Sequence, residues 1–226
     1  MSSLAFLLQC PDRQSGLSGG LPTENGWCMR WNIPLIWYAC FTPDDLITRR
    51  LPDSEIDYPA FFSPAAALRE RLITRKPVII NALPEAIRPD YATFYDQTTD
   101  RLVASFTKGV LLEVSDFFAI MEFEPDAMKA FVEEVRLVDQ AARGEVRLDI
   151  DALPLSGAFN IGTPSAPANR ATKEELAMSW RLIFAGGPIS DQTWPPAPQD
   201  AEIDLAAGMT AGKPSSAVSK PWWKFW

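Results

Sequence analysis

Apolar and polar positions fall into short runs near the start of the chain and into helical stripes further on. LAFLLQC (4–10) is a compact apolar run that predicts a first strand. Residues 11–26, PDRQSGLSGGLPTENG, are dense in turn formers and predict a loop. The aromatic and β-branched run WCMRWNIPLIWYACF (27–41) predicts strand structure with both faces largely covered. Pro34 inside it marks a bulge, an edge or the start of a second strand, because it cannot donate to a ladder. KPVIINALP (76–84) predicts a buried strand, and RLVASF and VLLEVSDF predict two strands around a turn at Lys108-Gly109. A helix over 110–121 is the alternative to the second of these. EVRLDIDALP (145–154) alternates Val146, Leu148 and Ile150 with charges, the pattern of a strand with one wet face.

Period-3.6 segments stand between these runs. One helix is predicted from about Pro64 to Thr74. Another lies within 85–97, where Ile87, Tyr91 and Phe94 share a face and Pro89 can set the start. The longest carries Met128, Phe131, Val132, Val135, Val138 and Ala142 on one stripe, with Asp126 at its start and Arg143-Gly144 at its end. After a Pro/Gly/Ser-rich loop (154–171), the capping box Thr172–Glu175 opens a last helix with Leu176, Trp180, Ile183 and Phe184. Gly186 and Gly187 stop it. A short grammar of Phe, cap and Pro recurs in FTPDDL (41–46), FFSPAAAL (61–68) and FEPDAM (123–128), with Thr42 and Ser63 as good N-caps and Glu124 as a poorer one. No longer similarity accompanies it, so the shared feature is helix-start chemistry rather than duplication.

The order of elements lacks regular strand–helix alternation, which predicts an α+β fold. The expected domain is single, with a mixed or antiparallel sheet of five to seven strands and about four helices. It spans residues 1–187. From Pro188 the composition shifts to Pro, Gly, Ser and Ala. Residues 188–219 therefore read as a flexible linker, and 220–226, KPWWKFW, as an aromatic C-terminal motif. Three of the chain's eight tryptophans sit in that motif.

Composition narrows the chemistry. With 47% hydrophobic residues among 226, the chain can bury a sizeable core. Its net charge of −8 disfavours nucleic acid, where binding rests on Lys and Arg at phosphates, and suits a basic partner. There is no histidine, so a Ser-His-Asp triad, a His metal ligand and an imidazole base are all ruled out. Three cysteines, Cys10, Cys28 and Cys40, form no CxxC pair and read as free thiols in a reducing cytoplasm. The N-terminal apolar run lacks the features of a signal peptide, and no run reaches the length of a membrane span.

Candidate chemistry is then carboxylate-based. Glu113, Asp116, Glu122, Glu124 and Asp126 form one acidic group, and Asp44, Asp45, Asp53, Glu55 and Asp57 another. Either could hold a divalent ion or act as acid and base if the fold brought them together; as solvated surface and helix-start charges they need no such role. No catalytic residue, metal ligand or cofactor is assigned. The sequence favours a non-enzymatic cytoplasmic protein-binding protein, an adaptor or an immunity-type inhibitor. Its docking motif would be Lys220, Trp222, Trp223, Lys224, Phe225 and Trp226. The alternatives are peripheral membrane association through that tail, since Trp and Lys suit an anionic interface, and a His-independent, carboxylate-dependent enzyme.

Overall fold

The computed structural model describes residues 4–17, 26–51, 54–158, 161, 173–189 and 194–195, with the backbone alone for 173–177. The fold is α+β. Among the described residues six strands form one antiparallel sheet: β1 (Leu4–Gln9), β2 (Gly26–Arg30), β3 (Leu46–Arg50), β4 (Asp57–Pro64), β5 (Gly109–Glu113) and β6 (Gly187–Pro188), in the order β3-β4-β5-β1-β2-β6. Four long helices accompany it: α3 (Ala65–Ala82), α4 (Arg88–Ser105), α6 (Pro125–Ala142) and α7 (Lys173–Ala185). Shorter helices are α1 (Arg13–Leu17), α2 (Leu35–Tyr38) and α5 (Ser115–Ile120).

Register explains the two-faced sheet. Phe61, Leu112, Leu7 and Trp27 are successive cross-strand partners on β4, β5, β1 and β2, and all are buried. They join the main core, where Phe131 of α6 meets Phe61 edge-on at 5.2 Å. One residue along each strand, Phe62, Leu111 and Leu8 point to the opposite face, as the two-residue period requires. There they form a smaller cluster with Cys10, Ile47 and Ala60. Gly16 of α1 lies over this second cluster, close enough that a Cβ would stand 3.3 Å from Ile47 Cδ1.

Several expected elements are different. KPVIINALP is not a strand: helix α3 runs through it to Ala82. Ile79, Ile80 and Leu83 are buried, so tertiary packing overrides their β propensity. Pro77 and Ile73 face solvent, where the carbonyl deprived of a partner can be hydrated. RLVASF is the last part of α4; Thr98 occupies a buried stripe position and returns its hydroxyl to the Phe94 carbonyl at 2.8 Å. VLLEVSDF splits into strand β5 and helix α5. Residues 35–41 are not a strand but the fully buried turn α2 and its exit, with Pro34 as its N-cap. A run that is apolar on every side has no period to reveal this. EVRLDIDALP pairs with no described strand. Asp149 instead accepts the Asp151 N–H at 3.0 Å and opens a single 3-10 turn, Ile150–Ala152.

Other helix starts match expectation. Pro125 opens α6, and Arg88-Pro89 opens α4. Thr42 caps a single 3-10 turn that leads straight into β3. Ser63 is not a cap: it belongs to β4, and Pro64 takes the N-cap place. Thr172 of the expected capping box lies outside the described residues. Past residue 187, Pro188 still pairs with Trp27, and Trp194 is buried, stacking on Phe94 at 5.6 Å.

Candidate functional site

Strand β2 ends at Arg30, and the next residue, Trp31, takes a left-handed backbone with φ 72°. For a bulky aromatic that conformation costs about 1–2 kcal/mol. The side chain is nevertheless 63% exposed. Among the described residues the other non-glycine positions with positive φ are Glu122 and Phe123, between α5 and α6. Phe123 recovers its strain by packing, with its ring 6.2 Å from that of Tyr58. Trp31 gains no such burial.

The strain at Trp31 is imposed by its neighbours. Asn32 is buried and donates from Nδ2 to the Ser156 carbonyl at 3.0 Å, and the Ile33 N–H donates to the Leu155 carbonyl at 2.9 Å. The turn that accepts them, Leu153–Gly157, is tied to itself by the Ser156 hydroxyl on the Leu153 carbonyl at 2.7 Å. Gly157 has φ 63°, and a Cβ there would come within 3.2 Å of the Asn32 Cβ, so both backbone freedom and close approach call for glycine. The turn is fixed from below by Glu134 of α6, whose Oε1 accepts the Leu155 N–H at 2.7 Å. Trp31 is thus a rigidly mounted, solvent-facing aromatic.

Among the described residues the buried carboxyl and guanidinium groups fall into four sets; besides Arg181 of α7, which pairs with Asp90 of α4 at 2.7 Å, there are three. Arg49 of β3 pairs with Glu113 of β5; the Tyr58 hydroxyl donates to the same carboxylate at 3.2 Å and the Ser115 N–H at 2.8 Å. Arg71 and Arg75 of α3 close the exit of α2. Arg75 donates to the carbonyls of Ala39 and Phe41 and pairs with Asp139, while Arg71 donates to the Cys40 carbonyl and pairs with Asp45. Guanidinium groups at these free carbonyls match the negative end of the short helix. The third set, Glu134 with Tyr38, has no counter-charge among the described residues. Glu134 Oε2 and the Tyr38 hydroxyl are both buried and face each other, close enough for the phenol to favour the ionised carboxylate as a donor. Burial pushes the Glu134 carboxyl up to about 8 and the Tyr38 hydroxyl well above the usual phenol range.

Three of the acids named from the sequence enter separate ion pairs, and Asp53 lies outside the described residues. Glu113 is sealed with Arg49, Asp45 with Arg71, and Asp57 with Arg50 at 2.8 Å. Among the described residues no three acids or cysteines converge as a metal site. Cys40 is enclosed, and burial raises its thiol to about 12, far from a thiolate at neutral pH. The expected binding residues Lys220, Trp222, Trp223, Lys224, Phe225 and Trp226 lie outside the described residues.

Trp31 was hidden in the sequence within a run read as covered strand; the one signal was Asn32, a turn former two residues before Pro34. Glu134 was legible in principle, since it sits one turn after Phe131 on the flank of the apolar stripe. Among the described residues no helix is long and apolar enough to cross a membrane. Comparison with protein-family models, curated proteins and solved structures finds no match for this chain.

Proposed function

We propose that the chain is a non-enzymatic protein-binding protein, an adaptor or an immunity-type inhibitor, that grips its partner at two points. One is Trp31 on the domain; the other is the KPWWKFW motif at residues 220–226. The observation that carries this reading is Trp31 itself, an aromatic held in a costly backbone conformation and presented to solvent. Strain retained without packing in return is a mark of functional surface, and tryptophan is the side chain most often found at binding hot spots. The net charge of −8 favours a basic partner. Three free cysteines fit a reducing cytoplasm.

The test is quantitative capture of one partner by the full-length chain, by Trp31→Ala and by a chain ending at Ser219. Loss of a hot-spot tryptophan weakens binding about 30-fold, and removal of the tail weakens it further through lost avidity. Trp31→Ala should melt within about 2 °C of the wild type, because surface changes cost little. Undiminished capture by both variants overturns the proposal. A tail-dependent tryptophan blue shift with anionic vesicles, without protein capture, replaces it with the membrane reading.

A further inference from the structure

We propose that Glu134 is a proton-dependent latch on the turn 153–157, closed while its carboxyl is protonated and loosened when it ionises, and that the loosening reaches Trp31 through Asn32 and Ile33. The functional consequence rests on the binding role of Trp31; the latch does not.

The geometry that supports it is a single chain of contacts. Glu134 accepts the Leu155 N–H at 2.7 Å, the Leu155 carbonyl accepts the Ile33 N–H at 2.9 Å, and the Ser156 carbonyl accepts Asn32 Nδ2 at 3.0 Å. These bonds are the described ties between the mount of Trp31 and helix α6. Glu134 is 1% exposed, and among the described residues no cation is set against it. The titratable group that faces it is Tyr38 from α2. The turn contributes the Leu155 amide and the uncharged Ser156. The next charges along α6 lie more than one helical turn away, where Asp139 is shared by Arg75 and Arg143.

An ionised carboxylate at this place has the Leu155 N–H and the Tyr38 hydroxyl as donors, but they do not make up for the solvation that a buried charge loses. Opening the turn admits water to it. In the open turn the group titrates near its ordinary 4.5, and in the closed turn near 8. Closure therefore retains a proton that the open state has lost. Each pH unit between those values favours opening about tenfold, and above about 8 the effect levels off.

Hydrogen exchange of the amides at 32–33 and 153–158, as the wild-type rate divided by that of Glu134→Gln at each pH, reads this directly. Dividing cancels the intrinsic pH dependence of exchange. The ratio should rise about tenfold per unit from pH 5 to 8 and then flatten. A ratio independent of pH overturns the latch; a rise confined to 153–158 overturns the transmission to Trp31. Should Glu134→Gln fail to fold, carbon NMR of the Glu134 carboxyl in the wild type decides. A midpoint near 8 supports the latch, and one near 4.5 removes it. Partner capture by Trp31→Ala is independent of all these readouts, so failure of the binding role and failure of the latch are separately visible.

Discussion

Glu113 on β5 and Glu134 on α6 are each 1% exposed, so both have lost the same solvent. Glu113 has been given a guanidinium, a phenol and a backbone N–H in exchange. Glu134 has one backbone N–H and a phenol, and no guanidinium among the described residues. The first is a tie between strands that are not adjacent, β3 and β5, spanning β4. The second is a group for which the neutral form is the comfortable one. What separates them is the partner and not the depth of burial, and that decides which carboxyl can respond to a proton.

Removing the partner of the first should have the largest effect. Arg49→Met leaves Glu113 buried and uncompensated, with an expected loss of about 3–5 kcal/mol in denaturant melts. Adding Glu113→Leu to it should restore most of that loss; a single variant that melts like the wild type would show the pair to be dispensable. Next comes Glu134→Gln. Wild-type stability should fall relative to this variant by about 1.4 kcal/mol per pH unit between about 4.5 and 8, because the folded state holds a proton that the unfolded chain releases. Parallel stability curves for the two proteins across that window would contradict the assignment of Glu134 as a neutral acid.

The two phenols offer a finer contrast. Tyr58→Phe removes a hydrogen bond to a charged group and should cost about 1.5–3 kcal/mol. Tyr38→Phe deletes a hydroxyl that faces a neutral carboxyl and not a charge, and should cost less, about 0.5–1.5 kcal/mol. Equal losses would mean that Glu134 is charged. The smallest change is Trp31→Gly, which relieves the left-handed backbone and should leave stability unchanged or raise it by up to about 1 kcal/mol. Phe123→Gly, at a similar φ, should lower it, because the Phe123 ring packs on Tyr58.

The fold class and helix α6 were legible in the sequence for one reason. A stripe of Met128, Phe131, Val135 and Val138 has a single helical explanation, and Asp126 and Gly144 bracket it. The local signal for strand β4 is weakened by Pro59. That proline is tolerated where β4 has β3 alone as a neighbour, before pairing with β5 begins at Phe61. Helix α3 was cut short at Thr74 because Pro77 and the β-branched Val78, Ile79 and Ile80 speak locally for a strand, and long-range packing outvoted them. The candidate site was harder still. The strain at Trp31 is set by bonds to residues more than 120 positions away, and no local window contains them.

The strand order bears on how the chain is made. β1 lies near the middle of the sheet and pairs with β5, roughly 100 residues later. At ribosomal speeds of about 5–20 residues per second, β5 follows β1 from the exit tunnel by roughly 5–20 s. Through that interval LAFLLQ is a finished apolar strand with one edge unoccupied, the kind of segment that nascent-chain chaperones shield. Slowing synthesis ahead of Gly109 would lengthen that exposure, so the yield of native protein should depend on codon choice upstream of β5.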